Sequence, residues 1–404
     1  MNSISHALAA SYNAHSCFKF GEGAFELDAA CVKRFAAAYA EIRSGGNRLA
    51  PSVRQPLHAA CRSAVRDAFA LLLKQCHDRF ETAFLAELQV ECERVMDEEI
   101  AWYGKKPDGR MGDRDDARSR AITLSLQSQR YFFGQLPDAL VGELQQLAQP
   151  EVAAFRARVT AGQLRREDLS VNSGATVRRI RALLNQAFRR QGVLDAVSAY
   201  IGRRASVSAL ALELSVPQAT WWNNAIEGLT RPPKTLYAHL DEGIAFPKSI
   251  VYLSDVDKHN GPTGCYPGAY EALELNPLQE LVGRVVGIVG SRAGSPLADY
   301  YAKSYHQSTN SPRFRQHFMR LPSSVRFNSH LGWDVAPDSA LEDLLAADEV
   351  QMTGRAGAYL VFDGARLLHR GGMVQAGERL ALQVIFSDTT PVERIMAKVK
   401  RVLS

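Results

Sequence analysis

The hydrophobic period of this chain changes at Ala205, and that change limits what the chain can fold into. From about Leu27 to Tyr200 the apolar residues recur at helical spacing. The stretch "LDAACVKRFAAAYAEIR" stops at Gly45-Gly46-Asn47. Leu71, Leu72, Phe80, Phe84, Leu85, Leu88 and Val95 mark one or two long amphipathic helices between Ser52 and Trp102. "YGKKPDGRMGDRDD" reads as an exposed loop, and further helices are expected over about 138–160 and 176–200. Beyond Ala205 the text alternates. "SVSALALELSV", "KSIVYLSDV", "GAYLVFDG" and "RLALQVIFSD" read as strands, and "GRVVGIVG" as a short buried one. "NGPTGCYPG" is turn chemistry. Residues 291–348 lack a period and read as a long, partly helical, lid-like insertion.

A chain of 404 residues holds one large domain with additions, or two packed units. Its 46% hydrophobic and 23% charged residues are those of a soluble globular protein, and a net charge of +5 does not point to nucleic acid. Between Leu164 and Arg204 nine arginines face three acidic residues. That segment reads as a solvated helix face, with an anionic partner as the sharper alternative. The six cysteines form no C-x-x-C pair and read mostly as small buried residues in a reducing cytoplasm. Neither a secretory leader nor a membrane-spanning run is read.

The chemistry gathers at four residues. His239 and Asp241 stand two apart in "YAHLDEG", a spacing that puts both side chains on one face of a strand. His369 lies between two strand texts far downstream, and Arg379 opens the last of them. Two imidazoles and one carboxylate can occupy one face of an octahedral metal, the site of non-haem Fe(II) oxygenases. An arginine fork beside it can grip the far carboxylate of a 2-oxo acid. A jelly roll brings such distant strands together.

"HLDEG", "DKHNGPTGCYPGAY" and "LLHRGGMVQAGERLAL" together resemble the phytanoyl-CoA dioxygenase family of Fe(II)/2-oxoglutarate-dependent oxygenases, over about residues 199–390. One departure is "PGAY", where many relatives have "PGSH". The resemblance implies an α+β fold. A double-stranded β-helix (jelly-roll, cupin-like) core fills residues 199–404, and a large N-terminal α-helical region, residues 1–198, packs against it. It implies His239, Asp241 and His369 as iron ligands, Arg379 as partner of the 2-oxoglutarate C5 carboxylate, and Tyr252 as a wall for that cosubstrate. Fe(II), 2-oxoglutarate and O2 follow as cofactor and cosubstrates, with succinate and CO2 released. Asp241 favours hydroxylation over halogenation, since halogenases of this superfamily carry a small residue there. The expected substrate is a small organic molecule, free or linked to coenzyme A or a carrier protein, with no nucleic acid and no membrane. Substrate identity and oligomeric state stay open. Two alternatives are a non-catalytic metal-binding jelly roll and an interaction protein working through its basic helical half.

Other candidates are weaker. Gly287, Gly290 and Gly294 do not have dinucleotide-loop spacing. His306, His317 and His330 read as surface or structural residues, His259 as part of an exposed turn, and Trp221 and Trp222 as core. Cys76-His77 is discounted as a metal pair, because helical neighbours point apart.

Overall fold

The computed structural model describes residue 11 and residues 27–76, 79–104, 116–201, 204–217, 238, 239, 241, 247–272, 276–289, 338–364 and 366–387. Helices fill most of the first half: α1 (Ala29–Gly45), α2 (Pro51–Leu73), α3 (Arg79–Tyr103), α4 (Ala117–Gln129), α5 (Asp138–Thr160), α6 (Gly174–Arg190) and α7 (Val193–Ile201). Their ends follow local chemistry. The Asp28 carboxylate accepts the Cys31 N–H at 2.9 Å to start α1, and Gly46, at φ 52°, ends it. Pro51 opens α2, where its missing N–H costs nothing.

Two short strands interrupt this helical text: β1 (Tyr131–Gln135) and β2 (Ser170–Val171). YFFGQ holds a glycine and no apolar–polar alternation, and Ser170–Val171 is only two residues long, so neither stands out as a strand where Leu27–Tyr200 is expected to be helical. Arg130, in the left-handed region at φ 68°, turns the chain out of α4 and into β1.

The remaining strands are β3 (Ser206–Ser215), β4 (Lys248–Tyr252), β5 (Thr263–Cys265), β6 (Val350–Met352), β7 (Ala358–Phe362), β8 (His369–Arg370) and β9 (Arg379–Ser387). Three more helices are α8 (Pro267–Ala272), α9 (Pro277–Val289) and α10 (Ala340–Asp348). A six-stranded sheet runs in the order β1-β7-β4-β9-β3-β2, and a three-stranded sheet in the order β6-β5-β8. Every strand pairing in both is antiparallel.

Residues 283–289 of the text "GRVVGIVG" are helical, contrary to the strand expected. They belong to α9, where Leu278, Leu281, Val282 and Val285 recur at helical spacing and are all buried. The Asn276 side chain accepts the N–H groups of Leu278 and Gln279 at 3.0 and 2.9 Å and caps the first turn. The apolar face of α9 packs on α1 and α3 and shares one core with α2, with Phe35, Phe69 and Leu88 in it. A run of β-branched residues looks strand-like until its period is counted from Pro277.

A second, larger core lies between α4–α7 and one face of the six-stranded sheet. Strand alternation sorts the side chains. Leu380, Leu382, Val384 and Phe386 of β9, with Tyr359 and Val361 of β7 and Val251 of β4, point to those helices. Ala381, Leu360, Phe362 and Tyr252 point the other way and share a third core with Cys265 of β5 and Met352 of β6. The order of layers is therefore helices, major sheet, minor sheet. The loop 105–115, the tryptophan pair, His306, His317, His330 and the lid-like insertion up to residue 337 lie outside the described residues. Among the described residues no helix is long and apolar enough to cross a membrane.

Candidate metal centre

The alternation that builds the third core also aims polar side chains into the space between the sheets. On β4, Lys248 shares a face with Tyr252; on β9, Arg379 shares a face with Ala381. Lys248 lies opposite Phe362 and Ile385, and Tyr252 opposite Ala381, so the register fixes where each enters. His369 enters from the minor sheet, where Cys265 is its partner on β5.

The stretch around His239 is not an extended strand among the described residues. Instead His239 forms one antiparallel bridge with His369: each N–H donates to the other's carbonyl, at 2.9 and 3.0 Å. The Asp241 N–H donates to Gly364 O at 2.7 Å. Three backbone bonds thus lock the two segments together. They bring His239, Asp241 and His369 to one point, with one ligand atom from each lying within 4.8 Å of the others. The imidazole centroids are 4.4 Å apart. Asp241 Oδ1 sits 3.7 Å from His239 Nε2 and 3.5 Å from His369 Nε2.

Protonation is set from behind. His369 Nδ1 lies 2.9 Å from Leu367 O, and a carbonyl only accepts, so Nδ1 carries the proton. That leaves the Nε2 lone pair pointing into the triad. This atom is buried and makes no hydrogen bond. An orphaned buried acceptor is costly unless something electrophilic meets it. Burial works to raise the Asp241 pKa, but the Lys248 ammonium and then the His369 ring outweigh it and hold the carboxyl well below its ordinary range. Asp241 is therefore ionised at neutral pH, its charge answered by Lys248, and the cluster offers nitrogen and oxygen donors: the donor set of a divalent transition metal.

Two residues that sequence reading did not single out complete this corner. Lys248 Nζ lies 2.7 Å from Asp241 Oδ1 and 2.5 Å from Oδ2, and 5.1 Å from the Phe362 ring centroid. A Cβ on Gly364 would fall inside the Asp241 carboxylate and crowd His369 Cε1, so only glycine leaves room there. A lysine at the start of a strand reads as solvated, so the sequence carried no signal for it. The glycine in "FDGARLLH" offered only a turn.

Arg379 is buried at the start of β9, opposite Ser215. Its guanidinium donates to Gly261 O and, at 3.2 Å, to Ser215 Oγ, while Nε has no partner. Tyr252 is fully buried near this charge. Its hydroxyl donates to Thr263 Oγ1 at 3.2 Å and accepts the Thr263 N–H at 2.8 Å. Burial pushes the Tyr252 pKa up, so the phenol stays neutral. A carboxylate would answer the spare donor of Arg379. His259 is exposed in its turn, as the sequence indicates.

The loop that delivers His369 has its own anchor. Asp363, fully buried, accepts from Tyr200 Oη at 2.6 Å and Arg366 Nη1 at 2.7 Å. Arg366 also grips Glu280 of α9 through Nε and Nη2, at 2.8 and 3.1 Å. The histidine loop is thereby tied to α7 on one side and to α9 on the other.

No family model matches the chain, and no curated protein matches it. Solved structures similar to it include AviO1 from Streptomyces viridochromogenes Tue57, at 13% identity and TM-score 0.36, covering 69% of this chain and 98% of that one. EctD from S. alaskensis with 2-oxoglutarate and 5-hydroxyectoine is similar at 13% identity and TM-score 0.37, covering 68% of this chain and 79% of that one. The non-heme alpha ketoglutarate dependent carbocyclase SnoK from nogalamycin biosynthesis is similar at 14% identity and TM-score 0.33, covering 67% of this chain and 83% of that one.

Proposed function

We propose that this protein is an Fe(II)- and 2-oxoglutarate-dependent oxygenase that oxidises a C–H bond of a small organic substrate. The observation that carries this reading is the triad: His239, Asp241 and His369 converge, with the His369 Nε2 acceptor buried and unanswered. In this reading the two antiparallel sheets are the walls of a double-stranded β-helix, and the helices of the first half support it from outside. His239, Asp241 and His369 hold ferrous iron, and the spare Arg379 donor takes the far carboxylate of 2-oxoglutarate. Bound iron supplies the redox chemistry that couples the conversion of 2-oxoglutarate and O2 into succinate and CO2 to substrate oxidation.

The chain's own residues set the conditions for that chemistry. Leu367 O fixes the His369 tautomer, and Lys248 and Gly364 fix the carboxylate. Leu360, Phe362 and Ala381 give the space between the sheets an apolar wall. Tyr252 serves as a neutral wall near Arg379.

Anaerobic titration of the protein with Fe(II) and then 2-oxoglutarate tests this. A weak visible charge-transfer band should grow to one equivalent, and His369→Ala should abolish it. Arg379→Gln should keep iron binding but weaken 2-oxoglutarate by ~2–5 kcal/mol, because the partner carboxylate is left unpaired. Iron binding without any response to 2-oxoglutarate would instead mark a non-catalytic metal module.

A further inference from the structure

Lys248 has no place in the ligand set or the cosubstrate clamp, yet it is held more tightly than a surface lysine. Its backbone is fixed between β7 and β9, and its side chain is only 15% exposed. Its ammonium lies against the Phe362 ring, so its apolar stem and its charge both have fixed places. The two carboxylate oxygens of Asp241 are not equivalent. Oδ1 is the oxygen that faces both imidazole Nε2 atoms. Oδ2 is the oxygen pressed against Gly364, and Lys248 Nζ spans the pair, hydrogen-bonded to Oδ1 at 2.7 Å and 2.5 Å from Oδ2.

From this arrangement we infer that Lys248 is a positioning residue that fixes the plane of the Asp241 carboxylate with Oδ1 toward the imidazoles, so that the carboxylate offers a metal one oxygen and leaves a neighbouring coordination position for the 2-oxo acid. The inference rests on the metal-centre reading above. A carboxylate free to rotate can close both oxygens onto one metal and take up a position that a chelating cosubstrate needs. A cation fixed across both oxygens prevents that rotation. Partners of this kind orient metal ligands in many sites, and their loss typically changes affinity ~10–100-fold.

The test uses Co(II), which reports its coordination through its visible bands, in the full-length protein. Wild type, Lys248→Met, Lys248→Gln and Lys248→Arg are each loaded with Co(II) and then titrated anaerobically with 2-oxoglutarate. Lys248→Met should bind Co(II) with an altered visible spectrum and bind 2-oxoglutarate ~10–100-fold more weakly. Lys248→Arg, which keeps a cation on the carboxylate, should restore both. Lys248→Gln carries the test if the methionine variant fails to fold, judged by circular dichroism, and should sit between the two. An unchanged spectrum and unchanged 2-oxoglutarate affinity in Lys248→Met would overturn the inference. So would tighter Co(II) binding with an unchanged spectrum, which would make Lys248 a mere competitor for the carboxylate. Failure of the parent reading looks different: wild type itself would then bind no Co(II), or its Co(II) spectrum would ignore 2-oxoglutarate.

Discussion

Gly364 and Asp241 show how closely single residues are fitted at the centre. The Gly364 carbonyl accepts the Asp241 N–H, and its missing side chain leaves room for the Asp241 carboxylate. Gly364→Ala should therefore evict the carboxylate while leaving the sheets intact. Metal affinity measured by calorimetry should fall at least tenfold, the lower end of the cost of disturbing a ligand's support; far-ultraviolet circular dichroism should stay unchanged. The Asp241–Lys248 pair also gives the metal-free protein a pH signature. The folded pKa of Asp241 lies below the unfolded value of ~3.9, since Lys248 and His369 more than offset burial. Its stabilisation is thus fully present above about pH 4 and is lost as pH falls through the folded value. In urea unfolding, Asp241→Asn should be the less stable protein from pH 7 down to about pH 4, and the gap should close only below that. A gap that closed nearer pH 6 would contradict the pairing.

At the level of elements, α9 is the piece whose assignment changed, and it offers a direct check. Leu281 is 1% exposed and faces the α1–α3 core. Leu281→Ala should cost ~2–5 kcal/mol in denaturant unfolding, as buried leucines do. If the segment were a peripheral strand, the loss would be well under 1 kcal/mol. The long helices and the strands around Leu212 and Leu382 are legible because each repeats its period several times, and those around Val251 and Leu360 because apolar, β-branched and aromatic residues run together between turn residues. β1 and β2 are not, because they borrow their identity from partners: Tyr131–Gln135 is a strand only because Ala358–Phe362 lies beside it. The ligands were legible as residue types in an ordered set. What holds them was not, since the Leu367 carbonyl, the Gly364 gap and the Lys248 ammonium act through space. The bridge between His239 and His369 likewise does by two hydrogen bonds what the sequence reading assigned to a strand.

Across the whole molecule, two hydrophobic cores meet near the loop before His369, and an ionic chain joins them. Glu280 belongs to the helix that completes the α1–α3 core, and Tyr200 to the helix layer behind the major sheet; Arg366 and Asp363 stand between them. Removing the cation takes the Arg366 charge away from fully buried Asp363. Arg366→Ala should cost ~3–5 kcal/mol, as loss of one partner of a buried pair does. It should also loosen metal binding, although it touches no ligand; urea unfolding and metal calorimetry on the same variant check both. The strand order carries a consequence for synthesis. β9 is the last described strand to leave the ribosome, yet it runs down the middle of the major sheet, between β4 and β3. Until it emerges, β1-β7-β4 and β3-β2 are two unfinished ribbons, each with a bare hydrogen-bonding rim. Arg379 rides in on that same keystone, so a nascent chain can gather His239, Asp241 and His369, the proposed ligands, before it owns the arginine. Translation stalled just short of residue 379 should leave the chain at its most prone to edge-to-edge association.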